Sequence, residues 1–294
     1  MGRKAKHHYI PKCYLKGFTA GGENSSRFIC VPTDNSPPFP TSPNDSCAQR
    51  DYYSIEHENS LIVENWYAEQ IEPNIGKVLQ YIKETSTLPP ANEMRHLILL
   101  LATLYLRVPS FRSTLEAPMK RTKEIIDSMG KMVIDGEIVK VANVNISNQS
   151  DFEYSKTDLI KTELRLIDTV QASLANKFYQ LYVVEDKDLN LVTSDCPFIL
   201  SHPNGGWRFH FGLNTPNIEI CVPLTKKVLL IARNEPLQEG TFSATEQLIG
   251  LTNTKTILNA NQYFYACNKN VLLVDDNISA HTHTIDIPNF QNGR

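Results

Sequence analysis

Residues 157–184, TDLIKTELRLIDTVQASLANKFYQLYVV, decide the fold class, because one hydrophobic pattern gives way to another within them. Up to Phe178, apolar residues recur at the period of an amphipathic helix, and Lys161, Glu163 and Arg165 are predicted on its outer face. From Tyr179 onward, β-branched and aromatic residues follow one another, which indicates a strand. The chain therefore changes from helix to strand at this point.

The rest of the chain extends the same division. Before the change, one helical block is predicted around Pro73, with a break near that residue. Two further helices are predicted over residues 92–107 and 111–132, and residues 133–153 are predicted to be irregular. After the change, short strands dominate, joined by turns rich in Asp, Asn and Gly. The predicted strands cover residues 27–31, 51–55, 179–184, 189–193, 198–201, 207–212, 218–223, 228–232 and 271–274, and a further helix covers 245–267.

Helices followed by strands predict an α+β fold, with the helical first half packed on a mostly antiparallel sheet from the second half. We expect a single domain over residues 1–294. Its helix-rich part covers residues 60–178, its strand-rich part covers residues 179–275, and residues 276–294 form a flexible tail.

Composition excludes several classes of protein. The chain has 294 residues, is 41% hydrophobic and carries a net charge of −3, which argues against a fibrous, disordered or strongly basic protein.

The basic N-terminus lacks the apolar stretch of a secretory signal. The apolar run at residues 97–106 is too short to span a membrane. The six cysteines form no CxxC pair and are expected to be reduced thiols. These features predict a cytoplasmic protein that does not bind a membrane.

The N-terminal segment, residues 6–18, contains several side chains that could form a functional site. His7 and His8 precede a short helix that Pro11 is expected to start, and Lys12 belongs to a group of lysines around them. A neutral imidazole beside cations suits a metal ligand or a general base near an anion. Alternatively, one histidine packs in the core and the other is solvated. The apolar residues of the segment are too many for a free tail, so we expect it to dock on the strand-rich half.

Two family resemblances bear on this segment. The HHxxP pattern resembles the opening of ββα-metal (HNH-type) nucleases, with Asn44 and His57 as candidate partners. More of the chain resembles the uncharacterised bacterial domain-of-unknown-function family 4238, through the sequences KHHYIPKCYLKGF (6–18), RDYYSI (50–55), ENWYAEQIE (64–72), LATLYLRVPSFR (101–112), LVTSDCPFIL (191–200), VPLTKKVLLI (222–231) and LNANQYFYA (258–266). The second resemblance implies a common fold but no reaction. Cys196 stands where that family usually has Asn.

Several of the matched positions carry polar groups of interest. Asp195 follows an apolar strand and either presents a carboxylate in a cleft or caps its own turn. Arg107 ends an apolar helix and needs Asp195, Glu72 or an anionic ligand as a partner if it is buried. Glu72 and Glu69 share a helix face and either join Asp195 at a metal or are solvated. The amide of Asn259 either binds a ligand or caps a loop.

Two functions are compatible with these residues. The first is a metal-assisted phosphodiester hydrolase of bacterial or phage defence that acts on nucleic acid. In it His8, Asp195 and Arg107 are catalytic, His8 and Asp195 hold a divalent metal, and the ligand-binding residues are His7, Lys12, Glu72 and Asn259.

The second is a non-catalytic binding module. The same polar residues then form a structural network, and Trp66, Tyr67, Trp207 and Tyr263 meet a protein partner. The two functions differ in whether the polar residues meet in an open cleft or in a closed core. The sequence contains no GxSxG, P-loop or GxGxxG motif, which argues against serine hydrolases of that type, NTPases and dinucleotide enzymes.

Overall fold

Helices fill the middle of the first half in the computed structural model, which describes residues 6–55, 61–129, 131–134, 137–140, 155–202, 211–236 and 238–286. The helices are α1 (Lys12–Leu15), α2 (Ile62–Trp66), α3 (Glu72–Thr85), α4 (Met94–Leu106), α5 (Pro109–Met129), α6 (Lys156–Ala175) and α7 (Glu246–Asn259). Ser155 caps α6 by accepting a hydrogen bond from the backbone N–H of Asp158, and Thr245 caps α7 in the same way.

The strands come both before and after the main helices along the chain. They are β1 (Lys6–His8), β2 (Phe28–Pro32), β3 (Phe39–Thr41), β4 (Ala48–Arg50), β5 (Lys131–Ile134), β6 (Glu137–Lys140), β7 (Phe178–Val183), β8 (Thr193–Ser194), β9 (Ile199–Ser201), β10 (Glu219–Thr225), β11 (Val228–Arg233), β12 (Gly240–Ser243), β13 (Tyr263–Ala266), β14 (Asn270–Val274) and β15 (Ala280–Thr284).

Two sheets organise most of the strands. A five-stranded sheet has the order β12-β7-β11-β10-β9, and a four-stranded sheet has the order β3-β2-β13-β8. Pairing is antiparallel in both, apart from β12, which runs parallel to β7. Two-stranded ladders join β1 to β4, β5 to β6 and β14 to β15. The predicted α+β class is confirmed.

The N-terminal segment docks on the strand-rich half, as predicted. Tyr9, Ile10, Tyr14, Leu15 and Phe18 are all buried. The Tyr14 hydroxyl donates to the carbonyl of Pro223 in β10 at 2.7 Å and lies 2.9 Å from the hydroxyl of Thr193. Apolar burial and these hydrogen bonds together hold residues 6–18 against the sheet.

The break expected near Pro73 is present as a π-helical turn. Residues Tyr67–Ile71 form this turn between α2 and α3, so the chain is helical from Ile62 to Thr85 but changes its helix type in between. Proline has no N–H to donate and its ring crowds the preceding turn. A wider turn just before Pro73 accommodates both effects.

Several predicted elements are wrong in type or extent. The predicted helix over 245–267 ends at Asn259, and β13 takes up the following residues. Residues 51–55 form a turn rather than a strand, with Asp51 at a φ of 55°. Residues 189–193 form a strand only at their end, in β8. The irregular region predicted over 133–153 includes strand β6 and the end of β5, which begins within the helix predicted over 111–132.

Two more predictions concern the ends of the strand-rich part. The tail predicted to be flexible contributes β15, which pairs with β14 over Ala280–Thr284. Most of the strand predicted over 207–212, including Trp207, lies outside the described residues, as does His57. The division of the chain into a single domain stays a prediction.

No helix among the described residues is long and apolar enough to cross a membrane.

Candidate functional site

Arg107 is the centre of a buried polar cluster. Its side chain is 0% exposed and lies at the end of α4. The guanidinium donates to the backbone carbonyl of His8 at 2.5 Å, to the Tyr53 hydroxyl at 3.0 Å and to the Glu72 carboxylate at 3.5 Å. The Cζ atom of this guanidinium lies 3.8 Å from the ring centroid of Tyr67. Of the two predicted partners, Glu72 is therefore the one that pairs with Arg107.

A second buried ion pair lies beside the first. Two nitrogen atoms of Arg112, Nη2 and Nε, donate to the same Oε2 atom of Glu163, at 2.8 and 2.9 Å. Both are charge-assisted hydrogen bonds. The Tyr53 hydroxyl donates to the other oxygen of Glu163 at 2.9 Å, and the Tyr67 hydroxyl lies 3.4 Å from it. The prediction that Glu163 faces outward is wrong, because its side chain is 0% exposed and satisfied by this pair.

The two N-terminal histidines have different environments. His7 is buried, and its Nδ1 accepts a hydrogen bond from the backbone N–H of Tyr53 at 2.9 Å. Its Nε2 is buried without a hydrogen-bond partner in the described part of the chain. His8 ends β1, is only half-buried, and its Nε2 lies 3.2 Å from the carbonyl of Asn44. His8 is therefore the histidine that a ligand could approach.

The pKa values of both histidines are lowered. For His7 the main cause is burial. For His8, burial and then the charge of Lys12 lower the pKa to about 4, so its imidazole is neutral at pH 7. Neutral imidazole accepts a proton or a metal ion, which imidazolium cannot do.

Glu64, in α2, is a polar residue that is not among the predicted site residues. Burial raises the pKa of its carboxyl, while the charge of Arg107 and the backbone N–H of His8 act in the opposite direction. Its Oε2 is buried and, within the described residues, has no hydrogen-bond partner. Lys12 acts electrostatically on both Glu64 and His8. His8, Lys12, Glu64, Glu72 and Arg107 are called the His8 cluster below.

Asp195 anchors a loop through its carboxylate. Its side chain is 2% exposed. Its carboxylate accepts hydrogen bonds from the backbone N–H groups of Asn261, Gln262 and Tyr263, at 2.7, 2.8 and 3.2 Å. The Asn259 amide donates to the carbonyl of Cys196 at 2.7 Å, so it also ties this loop to the turn after β8. The Asn259 contact is that of a loop cap, whereas Asp195 binds a loop distant in sequence and does not cap its own turn through these bonds.

Replacing Asp195 with Ala is expected to lower the free energy of unfolding by about 3 kcal/mol, because several buried N–H groups lose a charged acceptor. Urea unfolding followed by circular dichroism measures this change. Asp195→Asn is the matched control, since it retains one acceptor oxygen, and its loss should be smaller. A stability equal to that of the parent would contradict the anchoring role.

Most of the predicted site residues thus fall into two groups. His8, Lys12, Glu72 and Arg107 meet in the His8 cluster, while Asp195 and Asn259 join the chain after α7 to the chain after β8. His7 belongs to neither group and is buried beside Tyr53. Over the described residues, no group of three or more His, Cys, Asp or Glu side chains is placed to hold a metal ion. The predicted roles of these residues in catalysis and in metal binding stay predictions.

The aromatic residues predicted to meet a partner also divide. Trp66 is 38% exposed, whereas Tyr67 is buried beneath Arg107 and Tyr263 is partly buried. Trp207 lies outside the described residues.

Glu64, Arg112 and Glu163 were not predicted as site residues. A signal for Arg112 exists in the sequence, because a second arginine follows Arg107 within a largely apolar segment. Glu163 lies on the same helix face as Ile160 and Ile167, and only its charge favours a position in solvent. Its burial depends on Arg112, which only the packing of α5 against α6 brings to it.

Comparison with known proteins identifies one family. A family model described as "Protein of unknown function (DUF4238)" matches residues 6–270, which is nearly the whole chain. No curated protein and no solved structure matches the chain. The matched span contains β1 with both histidines, the two buried arginines and the Asp195 loop. By this match the chain belongs to the DUF4238 family.

Proposed function

We propose that the protein is a hydrolase of phosphodiesters in nucleic acid, with its chemistry at the His8 cluster. The observation that carries the proposal is that burial shifts two half-buried groups beside Lys12, His8 and Glu64, toward their neutral forms. A neutral imidazole can accept a proton and a protonated carboxyl can donate one, so the two side chains are suited to act as a base and an acid.

The two groups have complementary tasks. Neutral His8 takes a proton from water as the water oxygen bonds to phosphorus. Glu64, in its protonated form, gives a proton to the ester oxygen as the bond from phosphorus to that oxygen breaks. Burial favours this protonated form, since it opposes the charge of a carboxylate.

An anionic substrate suits the electrostatics of the cluster. The charges of Lys12 and Lys6 contribute to the low pKa of His8. A phosphate bound beside these lysines offsets their charge and raises the pKa of His8 toward neutrality, where an imidazole is a more effective base. Substrate binding would therefore activate the residue that needs a higher proton affinity.

This chemistry needs no metal ion. Both carboxylate oxygens of Asp195 accept from backbone N–H groups, and the Nε2 atom of His8 lies at the carbonyl of Asn44. So placed, His8 and Asp195 do not fit a shared metal ion. A chelator separates the two forms of the hypothesis.

The test is hydrolysis of single-stranded and duplex RNA and DNA by the purified protein, with EDTA and with added Mg²⁺ or Mn²⁺. We expect cleavage in EDTA, and a loss of at least 100-fold in His8→Gln and in Glu64→Gln. The matched controls are His281→Gln and Glu69→Gln, both at exposed positions, which should retain the parent rate.

Unfolding midpoints confirm that the variants are folded. Absence of cleavage under every condition, or equal rates in His8→Gln and the parent, would overturn the proposal. Cleavage only with a divalent ion would overturn the metal-independent form and favour a metal-assisted hydrolase.

A non-catalytic binding module is the second candidate. The observation that favours it is the closed environment of Arg107 and Asp195, whose polar atoms are occupied by internal hydrogen bonds. In that case the polar residues are structural and binding takes place elsewhere on the surface. The same assay separates the two candidates, because a binding module gives no cleavage.

A further inference from the structure

A cavity of about 590 Å³ lies between α2, α4 and α6, apart from the His8 cluster. It is open to solvent, and no residue of the His8 cluster lines it. Its walls are formed by Ile62, Val63, Trp66, Ile71, Leu99, Leu164, Ile167, Asp168 and Gln171. Its volume falls within the range of about 300–1,000 Å³ typical of small-molecule sites. These nine residues are called the α2–α6 groove.

Large apolar side chains are exposed in this groove. Ile62 is 44% exposed and Trp66 is 38% exposed. Both project from one short helix, α2, at a four-residue spacing that places them on the same side. Exposed apolar surface gathered in a concave site, as opposed to scattered over the molecule, is typical of a place where a ligand binds.

The groove carries one charged side chain, Asp168, among its nine lining residues. Asp168 is exposed on α6 and, within the residues that the structure describes, forms no ion pair. Trp66 is the one aromatic residue of the lining. A carboxylate and an indole ring both attract cations, the carboxylate by its charge and the indole by its negative ring face.

We propose that the α2–α6 groove binds a small amphiphile with an apolar body and a single positive charge, such as an alkyl amine or a quaternary ammonium compound. The apolar body packs against Ile62, Leu164 and Ile167. The cationic end lies toward Asp168 and Trp66. The charge complementarity of the lining favours this ligand over a neutral or anionic one of the same size, and the proposal does not rest on the hydrolase activity proposed above.

Calorimetric titration with three probes of equal chain length tests the proposal on the full chain. The probes are decyltrimethylammonium, decyl glucoside and decanesulfonate, each below its micelle concentration. The cationic probe should bind about 5-fold more tightly than the neutral one, as expected for one partly exposed charge pair. The anionic probe should bind most weakly.

Two kinds of variant locate the site. Asp168→Asn should remove the preference for the cation and leave binding of decyl glucoside unchanged, whereas Asp276→Asn, an exposed acid outside the groove, should change neither. Trp66→Ala should weaken the cationic and neutral probes by at least 10-fold, and Ile62→Ala provides a second, smaller truncation of the same surface.

The result that would overturn the proposal is equal binding of all three probes, tightest binding of the anion, or no binding of any probe. A preference for the cation that survives Asp168→Asn would also overturn it. Unfolding midpoints measured on the same samples show that each variant is folded.

Discussion

Replacing Glu163 with Gln is expected to lower the free energy of unfolding by about 4 kcal/mol. The substitution keeps the shape of the side chain but removes the charge that neutralises Arg112, which is buried against it at 2.8 Å. It also replaces a carboxylate, which accepts a hydrogen bond from the Tyr53 hydroxyl, with an amide. The NH2 group of that amide can only donate hydrogen bonds. Urea unfolding, monitored by circular dichroism and by tyrosine fluorescence, measures the loss.

A double replacement is the control for this prediction. Arg112→Met combined with Glu163→Leu leaves neither charge buried and fills a similar volume, so it should recover a large part of the stability lost in Glu163→Gln. A single variant as stable as the parent would contradict the buried ion pair. A double variant less stable than the single one would show that the pair contributes more than it costs to bury.

Replacing Arg107 with Ala is expected to cost about 3 kcal/mol of unfolding free energy. The substitution removes a fully buried guanidinium, leaving the His8 carbonyl and the Tyr53 hydroxyl without this donor and leaving a cavity beside Tyr67. The measurement is again urea unfolding, supported by the thermal midpoint.

Arg107→Lys separates the charge from the geometry of the side chain. Lysine keeps one positive charge near Glu72 but lacks the planar fork that serves several acceptors at once. We expect an intermediate stability, between those of Arg107→Ala and the parent. A thermal midpoint of Arg107→Ala within a degree of the parent would show that Arg107 does not support the core.

The α+β class follows from patterns that depend on local sequence. Helix α6 is amphipathic over its whole length, and the hairpin of β10 and β11 consists of β-branched and apolar residues around a short turn. Burial of the N-terminal segment also follows from composition, because Tyr14, Leu15 and Phe18 cannot remain in water at low cost.

Where the predicted elements are wrong, the observed ones depend on contacts between residues that are far apart in the sequence. The predicted helix over 245–267 ends where the Asp195 carboxylate takes three backbone N–H groups, and no local pattern announces that acceptor. The aromatic residues at 52–53 were predicted in a strand because their type favours one. They form a turn instead, and Arg112 lies 3.6 Å above the ring centroid of Tyr52.

The candidate site shows the same division. The need of Arg107 for a carboxylate partner follows from its place at the end of an apolar helix, and Glu72 meets it. The part played by Glu64 could not be predicted, since its pKa is set by burial and by residues from α1, β1 and α4. Sequence separation hides such a group until the chain is folded.

The π-helical turn has a consequence for communication across the molecule. It begins at Tyr67, directly after Trp66, and the two rings lie 4.9 Å apart, edge to face. One ring lines the α2–α6 groove and the other lies beneath Arg107, at 3.8 Å. A ligand that fixes the rotamer of Trp66 therefore restricts the space open to Tyr67. By thermodynamic reciprocity, a groove ligand that favours tight packing around Arg107 by a given factor binds more tightly, by that same factor, once this packing is formed.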